Sequence, residues 1–308
     1  MADYVETAFA AYKPMWHGKG NILDNPATAT EAITQGGLDW KVSLKPISVG
    51  GVIIDDHYAT VRDDTNTVLG IVGARYEVKQ NSELFNFFDP VIDRDKRIYH
   101  SGGVLKRGRI VWLLAKLDAS FYAVPDDRVD SYILLASSHD GSMHITIKHT
   151  PIRVVCWNTL SAALMGSETM VRIKHTRYAH NELRAAHKLM GLTTKSMEQM
   201  HELVDVLLSR KVSTRFMRTF VESLFPSTRN REKRPKNKHL EPIEMLFVNE
   251  PNSLPGMQRS GWALYNAVTE YIDHSWSAKD ATFRSWFGTG EDLRTKAVQL
   301  LVNQAEGA

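Results

Sequence analysis

Cys156 is the only cysteine in this chain of 308 residues. One thiol excludes an intramolecular disulfide framework and any cysteine-rich zinc site. Long apolar runs are also missing: none approaches the ~20 residues that a membrane span needs. The N-terminal Met-Ala-Asp-Tyr-Val-Glu-Thr has neither the basic nor the apolar region of a signal peptide. A soluble cytosolic protein with no membrane partner is expected. There is no Gly-rich dinucleotide loop, Walker loop, Gly-x-Ser-x-Gly elbow or His-Glu-x-x-His pair. The sequence therefore points to no catalytic residue and no cofactor. Neither sign of charge dominates, with 38 Lys and Arg against 35 Asp and Glu. A net +3 permits nucleic-acid binding without requiring it.

What is present centres on residues 138–176. Asp140-Gly141 is a tight hairpin signal. Met143, Ile145 and Ile147 then alternate with His144, Thr146 and Lys148, the period of a half-buried strand. Pro151 is expected to stop that strand and to open a helix. Ile152, Val155, Cys156, Thr159, Leu160 and Ala163 would form its apolar stripe, making Cys156 a buried structural thiol. Arg153 and Trp157 fall one turn apart, off the stripe. After Gly166 comes a short strand with Arg172 and Lys174 on one face. The unit reads as strand–helix–strand with a basic, partly aromatic exposed side.

Around it, the N-terminal half reads as hairpins. Met1–Asn25 is loop-like, and Thr28-Ala-Thr-Glu31 is a capping box that opens a short helix to Gln35. Strands follow over 40–47, 58–63, 68–72, 98–105, 109–117 and 132–138, joined by short turns such as Gly50-Gly51 and Lys106-Arg107-Gly108. Short turns between successive strands argue for an antiparallel or mixed sheet. Beyond residue 176 the pattern is helical. Leu183, Ala186, Met190, Met197, Met200, Val204 and Leu207 form one stripe, with Gly191 and Thr193-Thr194 expected to weaken or break it. Ser213 caps a further helix, 227–239 is a basic loop with six Lys or Arg against Glu232, Gly261–His274 is helical, and Leu293–Asn303 is a terminal helix. The fold class expected is α+β: an antiparallel or mixed sheet of hairpins packed on a central helix, then a helical C-terminal region. The division expected is 1–176 and 177–308.

His139, His144, His149 and His175 cluster along the central stretch, and Asp55-Asp56-His57 and Asp63-Asp64 lie in turns. Histidine ligates metals readily. However, His144 and His149 face opposite sides of one strand, and no carboxylate is spaced to complete a set. Neutral, hydrogen-bonded histidines and turn-forming aspartates are the simpler reading.

Several blocks resemble a known family, the phage/plasmid-like proteins grouped as a domain of unknown function and found on phages and conjugative elements. They are Pro14-Met-Trp-His-Gly-Lys-Gly20, Val61-Arg-Asp63, Leu69-Gly-Ile-Val-Gly73 with Tyr76, Gly108-Arg-Ile-Val-Trp112, His139-Asp-Gly-Ser142, Arg153-Val-Val-Cys-Trp-Asn-Thr-Leu160, Arg172-Ile-Lys-His-Thr176 and Asn266–His274. The resemblance covers nearly the whole chain, and the Arg153–Leu160 block is its most specific part. Lys174 departs from it, since Arg is expected before His-Thr; the charge survives, but the bidentate grip of a guanidinium does not. The setting of such proteins implies recombination or replication of mobile DNA. A weaker likeness is to single-strand annealing recombinases. Those set a hairpin-rich sheet against a helix, assemble into rings or filaments and hold DNA by its phosphates.

The expectation is thus a DNA-binding homo-oligomer, single-stranded DNA favoured, acting without a catalytic residue. Lys106, Arg107, Arg109, Lys148, Arg153, Arg172, Lys174 and Arg177 would neutralise phosphates, and Trp157 would stack on a base. The alternatives are a protein-interaction module, such as an inhibitor of a host defence complex, and a metal-dependent enzyme acting on nucleic acid.

Overall fold

A computed structural model describes residues 5–12, 20–85, 98–155, 158–159, 170–179, 188–226, 237–275 and 288–303. The chain is an α+β protein of two compact units. The first comprises Met1–Leu117, Tyr132–His149 and Glu168–Leu192; the second comprises Asp118–Ser131, Thr150–Ser167 and Thr193–Ala308.

The first unit is built on hairpins. The larger sheet of the chain has the order β2 (Asn21–Leu23), β1 (Val5–Ala11), β6 (Tyr99–Leu105), β7 (Ile110–Tyr122), β8 (Arg128–Ser138), β9 (Ile145–Arg153), with β11 (Met170–Ile173) antiparallel on β9. β1 and β2 are parallel, so the sheet is mixed. They also overturn the loop expected before Asn25: the alternation there is short and partly polar, and its pairing partner β6 lies some ninety residues on. A separate three-stranded antiparallel sheet is formed by β3 (Val42–Val49), β4 (Val52–Arg62) and β5 (Thr67–Gly73). Helix α1 (Ala29–Gln35) starts as its sequence demands. The Thr28 hydroxyl accepts from the Glu31 N–H at 3.3 Å, and the Glu31 carboxylate accepts from the Thr28 N–H at 2.9 Å. Helix α2 (Asn81–Phe85) is a single short turn. The core gathers Phe9, Trp40, Leu69, Leu113, Ile133, Ile145 and Ile147.

Gly70 marks where β5 meets the turn after β8. A Cβ on it would stand 2.6 Å from the Asp140 Cα, so only glycine permits this approach. We expect Gly70→Val to separate the two backbones, lowering the thermal midpoint by several degrees in a melting scan.

The second unit is mostly helical: α3 (Lys188–Ser209), α4 (Thr214–Leu224), α5 (Leu240–Val248), α6 (Gly261–Glu270) running into one π-turn at Tyr271–Ser275, and α7 (Thr289–Asn303). α3 is continuous through Gly191 and Thr193-Thr194, against the expected break. Met197, Met200, Val204 and Leu207 are buried as the stripe requires, and Thr193 fills the missing step, also buried. Packing of this face outweighs the roughly 1 kcal/mol that one helical glycine costs. Ser213 caps α4 through the Phe216 N–H, as expected. α5 has no counterpart in the sequence reading. α6 forms within the span expected to be helical and is buried all round from Gly261 to Thr269. Among the described residues no helix is long and apolar enough to cross a membrane.

The stretch after Pro151 is the main correction. β9 continues through Pro151 to Arg153, a turn follows at 154–155, and β10 (Asn158–Thr159) pairs back with Arg153 and Ile152. The helix expected from Ile152 is therefore absent over these residues. A proline removes one ladder donor but does not forbid extended backbone, and its φ suits a strand. Cys156, Trp157 and residues 160–169 lie outside the described residues.

Candidate nucleic-acid interface

The exposed cations sit at one end of the larger sheet. The turn Lys106–Arg109 joins β6 to β7, with Leu105 opposite Ile110. Lys106 (φ 54°), Arg107 (φ 59°) and Gly108 (φ 87°) all take the left-handed backbone that a tight connection demands. Arg107 and Arg109 are exposed and Lys106 is half-buried. The His139 N–H donates to the Arg109 carbonyl at 2.8 Å, so the turn after β8 begins beside this tip. That turn leads into β9, where Ile145 pairs with Ile173 of β11. Lys174, the next residue, therefore leaves the sheet at the same end. Arg172, Lys174 and Arg177 are exposed. The Arg177 guanidinium lies 5.0 Å from the ring centroid of Tyr178, which is 57% exposed. The side chains of Arg109, Arg172 and Lys174 make no ion pair among the described residues.

β8 and β9 separate the two cationic groups. Three inter-strand steps put β7 and β11 about 14 Å apart. The intervening turn carries Asp140 and the exposed His144, not a cation. Beside Asp140 lies an open groove of about 700 Å³ lined also by Asp56, Val72, Arg75 and Tyr76. Its two carboxylates make it a poor seat for phosphate.

A buried histidine network holds this end of the sheet. The His139 Nε2–H donates to the Asn81 Oδ1 at 2.8 Å, and the ring meets Trp40 edge-on at 5.3 Å. Asn81 in turn donates to the Leu38 and Trp40 carbonyls. His175 stacks on Tyr76 at 4.8 Å, and its Nε2 lies 3.4 Å from the Ser137 hydroxyl. Tyr76 donates to the Ser138 carbonyl at 2.9 Å. Burial drives the His139 pKa down to about 3, helped by His175, and the His175 pKa down to about 4. Both are neutral anchors, and His175 fixes the backbone from which Lys174 and Arg177 project.

Two expected contacts are corrected. Lys148 is 2% exposed, because every residue of β9 from Ile145 to Arg153 is buried. Alternation identifies two faces but cannot say that both are covered. Arg153 is wholly buried in the second unit. Its Nε donates to Asp127 Oδ1 at 2.5 Å, its Nη1 to Asn252 Oδ1 at 2.6 Å, and its Nη2 to the Pro251 carbonyl at 2.7 Å. Asp127 Oδ2 accepts from the Trp262 indole N–H at 2.8 Å. Asn252 also donates to Glu270 Oε2 at 2.6 Å. Arg153 is thus a structural hub with no face toward a phosphate. Trp157 lies outside the described residues. Tyr178 was missed; the adjacent Arg177-Tyr178 pair was its only signal.

Among the described residues no three His, Cys, Asp or Glu side chains gather as a metal-ligand set. The geometry defines an α+β protein with buried polar hubs and a cation-bearing sheet end. The chain belongs to the family described as Domain of unknown function (DUF932), which matches residues 68–298. No curated protein and no solved structure matches it.

Proposed function

We propose that this protein binds single-stranded DNA through the exposed cations of its first unit and acts without a catalytic residue. The observation that supports this most directly is the Arg172, Lys174, Arg177 and Tyr178 group on and after β11, held by the buried His175. Cations on a rigid edge neutralise phosphates, while an exposed ring offers a base a stacking surface. The Lys106–Arg109 turn adds a second contact point at the same end of the sheet. Held by its phosphates, a strand keeps its Watson–Crick edges free to pair. That would suit single-strand annealing by a homo-oligomer of phage or mobile-element origin, the setting the sequence resemblance implies.

The test is fluorescence anisotropy of a labelled oligothymidylate across a salt series. For single strands each lost phosphate contact lowers the log–log salt slope by about 0.7. Arg172→Ala with Lys174→Ala should therefore weaken binding and flatten the slope by about 1.4. An unchanged slope would remove these residues from the interface, and no binding at low salt would remove the reading itself.

A further inference from the structure

We infer that the β3–β4 hairpin is a dimerisation arm that pairs with the same hairpin of a second copy of this chain. β5 accompanies β4 only as far as His57, opposite Gly73. Beyond it, Val52–Asp55 on β4 has an edge to which no strand is paired among the described residues, and β3 pairs there at Val49–Val52 and Ser48–Ile53 before the register shifts and resumes at Pro46–Tyr58. This two-stranded extension is apolar on both faces. Val49 (71% exposed) and Val52 (70%) lie opposite each other on one face, and Ile53 (62%) is on the other. A lone two-stranded ribbon is marginal in water, and three or more strands are needed for independent stability.

The two edges of the ribbon are not alike. The outer edge of β3 carries Lys45 and Pro46, both of which discourage pairing. The outer edge of β4 has no such guard over Val52–Ile54. Backbone geometry then selects a register. Gly50 (φ 58°) and Gly51 (φ 83°) form the two-residue turn that closes the Val49–Val52 pair with direct hydrogen bonds. Ile53, one step on, therefore points its own N–H and C=O toward the free edge. An antiparallel partner fits by placing Ile53 opposite Ile53 about a two-fold axis. Val52 then meets Ile54, and Asp55 meets Gly51, so aliphatic groups face each other and the carboxylates do not collide. The result is a short four-stranded ribbon at the hairpin tips, two strands from each copy, with β3 flanking β4 at Ser48 and Val49. The same arrangement would supply the self-association proposed above, and it is independent of nucleic acid.

Sedimentation of the purified full chain without DNA tests it. At about 100 μM, where a small interface is occupied, the wild type should have the mass of two chains or a multiple of it. Ile53→Lys should halve that mass with an unchanged circular-dichroism spectrum, because the residue makes no core contact. Val52→Cys and Ile54→Cys proteins, mixed and mildly oxidised, should cross-link to a dimer, since residues facing in this way stand about 4.5 Å apart. Either protein alone should not, because like residues are diagonal. Native Cys156 is common to all samples and so is controlled for. A wild-type monomer at this concentration would overturn the inference. So would an oligomer that Ile53→Lys leaves intact, or a mixture that cross-links no faster than its components. None of these outcomes bears on DNA binding, which the anisotropy series reads separately.

Discussion

Arg153→Ala should lower the unfolding free energy by about 3–5 kcal/mol, the range for removing one partner of a buried ion pair. The change leaves the Asp127 carboxylate buried with the Trp262 N–H still donating to it, and it strips the Asn252 side-chain oxygen and the Pro251 carbonyl of the N–H groups that Arg153 gives them. Arg153→Lys should recover little. One ammonium at the end of a flexible stem cannot match three acceptors spread around a planar fork. Arg153→Met combined with Asp127→Leu should be milder than Arg153→Ala, because both charges then leave the interior together. Urea unfolding of the four proteins measures this. The same set decides between a hub and a phosphate contact. A phosphate contact would flatten the salt slope of DNA binding and spare stability, whereas a hub costs stability first.

Stability should also fall steeply between pH 6.5 and about 5. His139, His149 and His175 are held neutral by burial, with pKa values pushed down to about 3, about 4 and about 4. In the unfolded chain each titrates near 6.5. Below that pH the unfolded chain takes up protons that the folded chain refuses, so folding loses free energy until the folded pKa is reached. Each histidine contributes about 1.4 kcal/mol per pH unit within the window, or roughly 4 kcal/mol for three. Above pH 7 the profile should be flat with respect to these groups. Urea midpoints at pH 7.5, 6.5, 6 and 5 (about one pH unit above the folded values) measure it. A level profile would mean that these imidazoles are solvated. His149→Gln should remove about a third of the slope while leaving the shape of the curve.

Much of the fold was legible because its signals are local. The Thr28–Glu31 capping box, the Gly50-Gly51 turn, the Lys106–Gly108 hairpin, the Ser213 cap and the methionine stripe of α3 each depend on residues within a turn or two of one another. Capping, left-handed turns and a 3.6-residue period are short-range physics. The basic pair Arg172 and Lys174, on and just after β11, was legible for the same reason: alternation placed both on one face, and both are exposed. By contrast, Pro151 was misleading. Its sequence neighbours fit a helix, yet β9 continues because β10 returns to pair with Arg153 and Ile152.

The sequence by itself determined the α+β class, the hairpins and the helical C-terminal region, since periodicity and turn chemistry are carried by neighbouring residues. Only the tertiary structure decided which charges are wet. Lys148 and Arg153 have the same chemistry as Lys174 and Arg172, but the first pair is covered on every side and the second faces solvent. Burial is set by elements far away in sequence. Asn252, ninety-nine residues beyond Arg153, is one of the three acceptors that hold that guanidinium inside, with Asp127 and the Pro251 carbonyl.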